Sequence, residues 1–255
     1  MMQKLNLKNI DVVLFDLDGT VYYGDDIIPG ANETINFFRE NGKKVFFTTN
    51  NSTKTRRQVY ERLIGMGVSC ELDEVLNSGF LATVYCKKNN LNDIYIFGSK
   101  DLIDEFAEQG ITASTDENSE NLLIGYNVNM DYEYLTSAIN VALHAKQIIA
   151  CNREKVFPGK NARLMPGCGA MTAPIEWCTD RECDVVIGKP NTFMFDYVAD
   201  EYGFDHERML VIGDTYESDV IAAKNAGCEA ILISKASHDD CINVNKISEI
   251  TGVFE

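Results

Sequence analysis

The segment VVLFDLDGT, at residues 12–20, gives the strongest indication of the fold of this protein. A continuous apolar run followed by polar residues is typical of a strand that is buried in a parallel sheet. Because side chains alternate along a strand, Asp16 and Asp18 leave the backbone on one side and Leu17 on the other. The segment therefore predicts two carboxylates at the carboxyl end of a buried strand, the edge where open parallel sheets bind ligands.

Short apolar runs alternate with helical segments on both sides of this strand. Residues 44–48, 75–76 and 209–212 predict further strands, and the segments between them have the periodicity of helices. Residues 94–150 carry a second alternation of the same kind. We therefore predict an α/β protein whose Rossmann-like core, residues 1–81 and 185–255, has a parallel sheet and is interrupted by an inserted α/β domain, residues 82–184.

Composition and charge narrow the classes of function. The 255 residues include 23 Lys and Arg against 39 Asp and Glu, which gives a formal net charge of −16 and argues against nucleic-acid binding through bulk charge. No apolar run approaches the ~18 residues of a membrane span. The eight cysteines have no zinc-site spacing, and the first residues lack the apolar stretch of a signal peptide. We predict a cytoplasmic protein with reduced thiols and without nucleic-acid or membrane partners.

The acids at two strand ends indicate a metal site. Two carboxylates as close as Asp16 and Asp18 raise each other's pKa unless a cation separates them. The alternative is a simple turn, because Asp and Gly are frequent in turns. Asp214 follows another predicted strand, with Asp219 shortly after it, and this second acidic group favours a site for a hard cation.

Two other strand ends carry groups that suit an anion. Thr49, Asn50 and Asn51 end the second strand and lead into a predicted helix, whose N-terminal N–H groups favour negative charge. Lys189 follows the apolar residues 185–187, where an ammonium can meet a phosphate. A helix cap and a solvated surface lysine are the simpler interpretations when each is taken alone.

The four segments together, in this order, resemble the motifs of the haloacid dehalogenase superfamily of aspartate-nucleophile phosphohydrolases. They read DLDGT at 16–20, TNN at 49–51, GKP at 188–190 and GDTYESD at 213–219. The segment PGCGA at 166–170 is similar to a signature of the NagD-like, p-nitrophenylphosphatase-type branch (subfamily IIA), which has an α/β cap inserted between its second and third motifs. The chain departs from that branch with CNRE at 151–154, where TNPD is more frequent, and with ES at 217–218, where DT is frequent.

The resemblance implies a Mg²⁺-dependent phosphatase that hydrolyses a small phosphate ester through an aspartyl-phosphate. Asp16 is expected to attack phosphorus, and Asp18 to protonate the leaving oxygen and then activate water. The implied Mg²⁺ ligands are Asp16, the main-chain carbonyl of Asp18, and Asp214. Asp219 is expected behind them, where it orients metal-bound water.

The resemblance also implies the groups that bind the substrate. Thr49, the N–H of Asn50 and Lys189 are expected to hold the phosphoryl oxygens, with Asn51 behind them. Residues 22–29 are expected to form a flap beside the site. Substrate contacts from the cap are expected at Pro166, Gly167, Cys168, Gly169 and Ala170. The basic residues after the second motif are interpreted as a solvated helix face; they are Lys54, Arg56, Arg57 and Arg62.

Two other functions fit the same residues. A phospho-accepting module of the receiver type also uses Asp, Thr and Lys around Mg²⁺, although it needs neither Asp18 nor a large insert. A phosphotransferase would use an identical site. The sequence does not choose among sugar phosphates, phosphoglycolate, glycerol phosphate, nucleotides and the general substrate p-nitrophenyl phosphate, and the family resemblance suggests a homodimer.

Overall fold

Internal contacts divide the chain into two units in the computed structural model, which describes residues 4–159, 163–236 and 238–255. The first unit is formed by the chain up to Thr49, Val59–Leu76 and Lys189–Glu255. The second unit is formed by Asn50–Gln58 and Asn77–Gly188. The domain limits at residues 82 and 184 stay a prediction, and residue 82 lies inside a helix, Ser78–Lys88.

The secondary structure alternates strands and helices along the chain. The strands are β1 (Val12–Asp16), β2 (Tyr22–Tyr23), β3 (Asp26–Ile27), β4 (Lys44–Thr49), β5 (Val75–Asn77), β6 (Ile94–Phe97), β7 (Asn121–Ile124), β8 (Gln147–Ala150), β9 (Val156–Pro158), β10 (Leu164–Pro166), β11 (Val185–Val186), β12 (Met209–Gly213), β13 (Glu229–Ile233) and β14 (Ile242–Val244). The α-helices are α1 (Ala31–Glu40), α2 (Arg56–Gly65), α3 (Ser78–Lys88), α4 (Lys100–Glu108), α5 (Tyr132–His144), α6 (Gly169–Thr179), α7 (Phe193–Tyr202) and α8 (Ile221–Ala226).

The first unit is built on a six-stranded sheet in the order β14-β13-β12-β1-β4-β5. The registers from β14 through β4 are parallel, which confirms the predicted α/β fold with a parallel sheet. The apolar residues of β1, Val12 to Phe15, are fully buried, as expected of a central strand covered on both faces. Asp16 pairs with Thr48 in the register of β1 and β4, so the carboxyl ends of the two strands are level.

The second unit has a smaller parallel sheet in the order β11-β8-β7-β6. Apolar residues of α5 and α6 join those of the sheet in one core, in which Val141 and Ile175 are fully buried. β9 and β10 form an antiparallel pair, and residues 160–162 between them lie outside the described residues.

All eight cysteines are free thiols, and five of them are buried. Their buried positions agree with the interpretation of most of them as core residues. None of the helices in the described ranges combines the length and the apolar character that crossing a membrane requires.

Candidate active site

The carboxyl ends of β1 and β12 bring three acids together in the first unit. Asp16 is the last residue of β1, and Asp214 follows β12 directly. Asp219 lies in a π-helical turn, Tyr216–Val220, that leads into α8. One carboxylate oxygen from each of the three acids lies within 4.8 Å of the other two. Two of the predicted motifs therefore form one acidic cluster, because their strands are parallel neighbours.

Two glycines permit this close approach. Gly19 has a φ of +90°, and a Cβ atom on it would lie only 2.2 Å from Oδ2 of Asp214. A Cβ atom on Gly213 would lie 2.2 Å from Cγ of Asp219. A larger residue at either position would displace an acid of the cluster. Steric crowding therefore explains why both motif positions are occupied by glycine.

Lys189 offsets part of the negative charge from a buried position. Its Nζ donates to Oδ1 of Asp16 and to Oδ1 of Asp219, both at 2.6 Å, and its side chain is 1% exposed. Burial disfavours the charged ammonium, but the carboxylates of Asp16 and Asp219 outweigh burial and raise the pKa of Lys189 above its usual value. Lys189 is therefore a cation at neutral pH.

One ammonium does not balance three carboxylates, and burial together with this excess of negative charge raises the pKa values of Asp16 and Asp214. Burial raises the pKa of Asp16 well above its ordinary value, and the charges of Asp219 and Asp214 add to the effect although Lys189 opposes it. Burial and the charge of Asp219 raise the pKa of Asp214 to about 6. The cluster is thus short of positive charge.

The donor set of the cluster fits a hard divalent cation such as Mg²⁺. The three groups offer only carboxylate oxygens, which such ions prefer, and a cation would relieve the repulsion that raises the acids' pKa values. Asp219 already has both oxygens engaged, since Oδ1 accepts from Lys189 and Oδ2 accepts from the N–H of Thr215 at 3.1 Å. Asp16 and Asp214 are therefore the better candidates for direct ligands.

Asp18 is not part of this acidic group. The residue as a whole is exposed, but its carboxyl is partly buried beside Tyr22, and its Oδ2 accepts a hydrogen bond from the Tyr22 hydroxyl at 3.4 Å. Partial burial of the carboxyl raises the pKa of Asp18, although the charge of Arg62 and the Tyr22 hydroxyl act in the opposite direction. The Asp18 carboxyl therefore keeps a proton more readily than an ordinary aspartate, as a general acid requires.

The residues of the second motif are held by different parts of the chain. Thr49 is buried at the end of β4, beside β1. Asn50 belongs to the second unit, where its Nδ2 donates to Oε1 of Glu154 at 2.8 Å. The carbonyl of Asn50 accepts from Oγ of Ser78 and from Nδ2 of Asn152, both at 2.7 Å. Asn50 is therefore fixed by buried polar contacts within its unit.

Asn51 and the start of α2 have local partners. Oδ1 of Asn51 accepts from the N–H and the hydroxyl of Thr53, at 2.8 and 2.9 Å, so its side chain closes a turn. The N–H of Arg56, the first residue of α2, donates to the carboxylate of Glu105. A carboxyl group of the protein thus occupies one N–H group at this helix end, and binding of an external anion near it stays a prediction.

The predicted cap segment 166–170 packs against the backbone of residues 153–155. The N–H of Gly167 donates to the carbonyl of Lys155 at 2.9 Å, and that of Gly169 donates to the carbonyl of Glu154 at 2.8 Å. A Cβ atom on Gly167 would lie 2.2 Å from the Glu154 carbonyl oxygen. The glycines therefore have a packing reason, and substrate contact by Pro166, Gly167, Cys168, Gly169 and Ala170 stays a prediction.

Some neighbours of the site were missed at the level of sequence. Arg62, interpreted as part of a solvated helix face, is partly exposed, and its guanidinium also lies 4.3 Å from the centre of the Tyr22 ring, a contact that was not predicted. Tyr22 stands four residues after Asp18, within the predicted flap, and that spacing was the available signal. Glu154 and Asn152, which hold Asn50, lie in the stretch where the chain departs from the pattern of the NagD-like branch.

Comparison with known proteins supports the same class of enzyme. A haloacid dehalogenase-like hydrolase family model matches residues 13–112, and a HAD-hydrolase-like model matches residues 186–251. Phosphoglycolate phosphatase 2 of Arabidopsis thaliana is 32% identical over 251 residues, which cover 88% of this chain and 83% of the relative. The sugar-phosphatase AraL of Bacillus subtilis is 29% identical over 227 residues, with coverage of 88% and 83%.

A solved structure gives the same result. The p-nitrophenyl phosphatase from Archaeoglobus fulgidus superposes with a TM-score of 0.89 at 28% identity, covering 96% of this chain and 99% of that chain. The protein therefore belongs to the haloacid dehalogenase-like hydrolases. The resemblance to the NagD-like, p-nitrophenylphosphatase-type branch and the Rossmann-like fold are confirmed, as is the predicted enzyme class, a phosphoric monoester hydrolase.

Proposed function

We propose that the protein is a Mg²⁺-dependent phosphatase that hydrolyses a small phosphorylated metabolite through an aspartyl-phosphate on Asp16. The observation that carries this proposal is the cluster of Asp16, Asp214 and Asp219 around Lys189, at the carboxyl edge of the parallel sheet. Such a cluster combines a nucleophile, a cation site and a fixed positive charge, which are the parts that phosphoryl transfer needs.

The chain supplies oxygen ligands for Mg²⁺. Asp16 and Asp214 would hold Mg²⁺, together with the main-chain carbonyl of Asp18 that the family resemblance implies. When bound, the ion supplies positive charge that offsets the repulsion between these acids and a phosphate dianion. Asp219 would act through Lys189 and the Thr215 N–H, since both of its oxygens are engaged there.

The chemistry assigns different tasks to the two acids of the first motif. The Asp16 oxygen that Lys189 does not bind attacks phosphorus, which forms an Asp16–phosphorus bond as the bond to the leaving oxygen breaks. Asp18 gives its proton to that leaving oxygen. It then takes a proton from the water that attacks the aspartyl-phosphate, which releases inorganic phosphate and regenerates both acids.

The phosphoryl oxygens need donors that stay in place during transfer. Lys189 is fixed by two carboxylates, and Thr49 is buried at the end of the strand next to β1. The N–H of Asn50, the next residue along the chain, completes this proposed set. Removal of any one donor is expected to slow the reaction, because transition-state charge is stabilised only by groups already oriented toward it.

The substrate is proposed as a phosphate monoester of a small metabolite. Relatives over most of this chain are named for phosphoglycolate and for sugar phosphates, and the similar solved structure is named for p-nitrophenyl phosphate. Residues 151–154, where the chain departs from its branch, contact Asn50 and the segment 166–170. We therefore expect the substrate preference of this protein to differ from that of other members of the branch. A cytoplasmic location and a homodimer stay predictions.

The test is hydrolysis of p-nitrophenyl phosphate with Mg²⁺, followed by a panel of phosphoglycolate, glycerol phosphate and sugar phosphates. Chelation with EDTA should abolish turnover, and Asp16→Asn should lower kcat by roughly 10³-fold or more, as removal of a nucleophile does. The matched control is Asp73→Asn, an exposed acid outside the cluster, which should keep full activity.

Three results would contradict the proposal. Undiminished turnover by Asp16→Asn would remove Asp16 as the nucleophile. A phosphorylated Asp16 that persists for minutes without phosphate release would favour the receiver-type module. A product that forms only with an added sugar acceptor would favour phosphotransfer.

A further inference from the structure

Tyr22 and Arg62 lie beside the proposed general acid and have no role in the function proposed above. We propose that Tyr22, held by Arg62, is a positioning residue that orients the carboxyl of Asp18 toward the leaving oxygen. This inference rests on the proposed function, because only there does Asp18 act as an acid. Asp18, Tyr22 and Arg62 all belong to the first unit, so their arrangement lies within one compact part of the chain.

The backbone places the Tyr22 side chain next to Asp18. The carbonyl of Leu17 accepts from the N–H groups of Val21 and Tyr22, at 2.9 and 3.1 Å, and the N–H of Gly19 donates to the Tyr22 carbonyl at 2.8 Å. This tight loop returns the chain to the end of β1. The Tyr22 side chain is buried, and its hydroxyl reaches Oδ2 of Asp18 at 3.4 Å.

The Tyr22 hydroxyl is a stable donor. A tyrosine phenol has an ordinary pKa of about 10, so it stays protonated at neutral pH and can donate. With Oδ2 of Asp18 held by this hydroxyl, Oδ1 is the oxygen that can exchange a proton with the substrate. An exposed carboxyl without such a partner would spread over several rotamers, and fewer of them would present a proton to the leaving oxygen.

Arg62 packs its guanidinium over the tyrosine ring. Its guanidinium carbon lies 4.3 Å from the ring centre, and its Nη2 donates to the carbonyl of Gly24 and lies 3.6 Å from Oδ1 of Asp25. Gly24 and Asp25 form the turn between β2 and β3. Arg62 therefore ties α2 to this hairpin with the Tyr22 ring between them, and only a planar guanidinium can stack and donate in this way.

The test compares two esters that differ in their need for an acid. Departure of an alkoxide from glycerol phosphate requires a proton, whereas p-nitrophenolate leaves readily without one. The comparison uses kcat/KM, which reports the transfer to Asp16 and not the later hydrolysis of the aspartyl-phosphate that both esters share. Tyr22→Phe should lower kcat/KM about 3- to 10-fold on glycerol phosphate, the loss expected from one hydrogen bond, and less than about 2-fold on p-nitrophenyl phosphate. Arg62→Met should show the same bias.

The reference variant is Asp18→Asn, which should show the same bias at larger magnitude. The matched controls are Tyr23→Phe, an exposed neighbouring tyrosine, and Arg57→Met, an exposed arginine of α2, and both should keep wild-type rates on the two esters. Thermal melting of each variant shows whether it is folded. If Tyr22→Phe does not fold, Arg62→Met carries the test.

The outcomes separate this inference from the proposed function. Equal losses on the two esters, or no loss on either, in Tyr22→Phe and Arg62→Met would overturn the positioning role while Asp18→Asn still shows the bias. A wild-type protein that hydrolyses neither ester, or an Asp18→Asn variant without bias, would instead overturn the proposed function itself.

Discussion

The acids of the candidate site depend on residues that have no reactive group. Gly213 is such a residue, because a methyl group on it would occupy the place of the Asp219 carboxyl, 2.2 Å away. Asp219 in turn holds Lys189, and Lys189 holds Asp16. A single added carbon should therefore disturb the nucleophile through two successive ion pairs.

Gly213→Ala is predicted to lower activity by ~10-fold or more and to raise the Mg²⁺ concentration needed for half-maximal rate, since misplacement of catalytic groups by about 1 Å has costs of this order. The measurement is a Mg²⁺ titration of p-nitrophenyl phosphate hydrolysis. Gly65→Ala is the control, because that glycine ends α2 with open space around it, and this change should leave activity unchanged. Wild-type behaviour of Gly213→Ala would show that the Asp219 position is not critical.

Individual residues of the site could be predicted where both their type and their place on an element are unusual. Asp16 and Asp18 were predicted in this way, and the structure places Asp16 in the acidic cluster and Asp18 beside Tyr22. The pairing of Lys189 with Asp16 could not be predicted, since the two lie 173 positions apart and meet only through the strand order. The contact between Arg62 and Tyr22 was missed for the same reason, because the two residues are distant in the sequence.

At the scale of elements, one buried acid joins α1, β4 and the turn before β5. Glu74 accepts from Arg39 of α1 at 2.5 and 3.1 Å, from Lys44 of β4 at 3.0 Å and from the N–H of Glu71 at 3.1 Å. Its side chain is 2% exposed. Burial alone would raise the pKa of Glu74, but these hydrogen bonds outweigh burial and lower the pKa below its usual value.

Glu74→Gln is predicted to lower the free energy of unfolding by about 2–3 kcal/mol at neutral pH, because Arg39 and Lys44 lose their buried partner. A lowered pKa in the folded state stabilises the protein above the ordinary glutamate pKa of about 4.3, and this contribution is lost as the pH falls below it. The deficit of the variant should therefore shrink between about pH 5.5 and the lowered pKa.

Urea unfolding of both proteins at pH 7.5 and at pH 4 measures this difference. Glu40→Gln, an exposed acid at the end of α1, is the matched control and should change stability by less than about 0.5 kcal/mol at either pH. A deficit that stays constant with pH would mean that packing of the side chain, and not its charge, stabilises these elements.

The elements themselves were predictable where apolar runs are short and bounded by turns. The strands at residues 44–48 and 209–212 and the alternation in residues 94–150 are confirmed. The helix α3 was not predicted, since residues 78–83 at its start are all buried and show no helical alternation of apolar and polar residues. That is why a predicted domain limit came to lie within it.

For the whole molecule, the parallel sheet could be predicted but its strand order could not. Alternating strands and helices require a parallel sheet, whereas the order β14-β13-β12-β1-β4-β5 depends on which helices cover which face. The order matters for function, because it places β12 and β4 on either side of β1. The acids and Thr49 come to one edge for that reason.

The net charge of −16 is also a property of the whole molecule, and the acidic cluster accounts for only a small part of it. Exposed ion pairs such as Lys100–Asp104 and Lys146–Glu120 contribute little to stability. Repulsion among the surplus carboxylates acts at long range, and it is strong at low salt and largely screened at physiological ionic strength. Repulsion should therefore dominate the salt response of the folded state.

We predict that raising NaCl from about 10 to about 150 mM at pH 7.5, with EDTA present, increases the melting temperature by roughly 2–4 °C, the shift that about 1 kcal/mol produces in a chain of this size. The same series at pH 5 is the control, because partial protonation of the carboxylates lowers the repulsion and the gain should shrink. Scanning calorimetry or dye-based melting measures both. A melting temperature that falls with salt at pH 7.5 would show instead that ion pairs such as Arg39–Glu74 outweigh the surplus charge, since screening weakens attraction and repulsion alike.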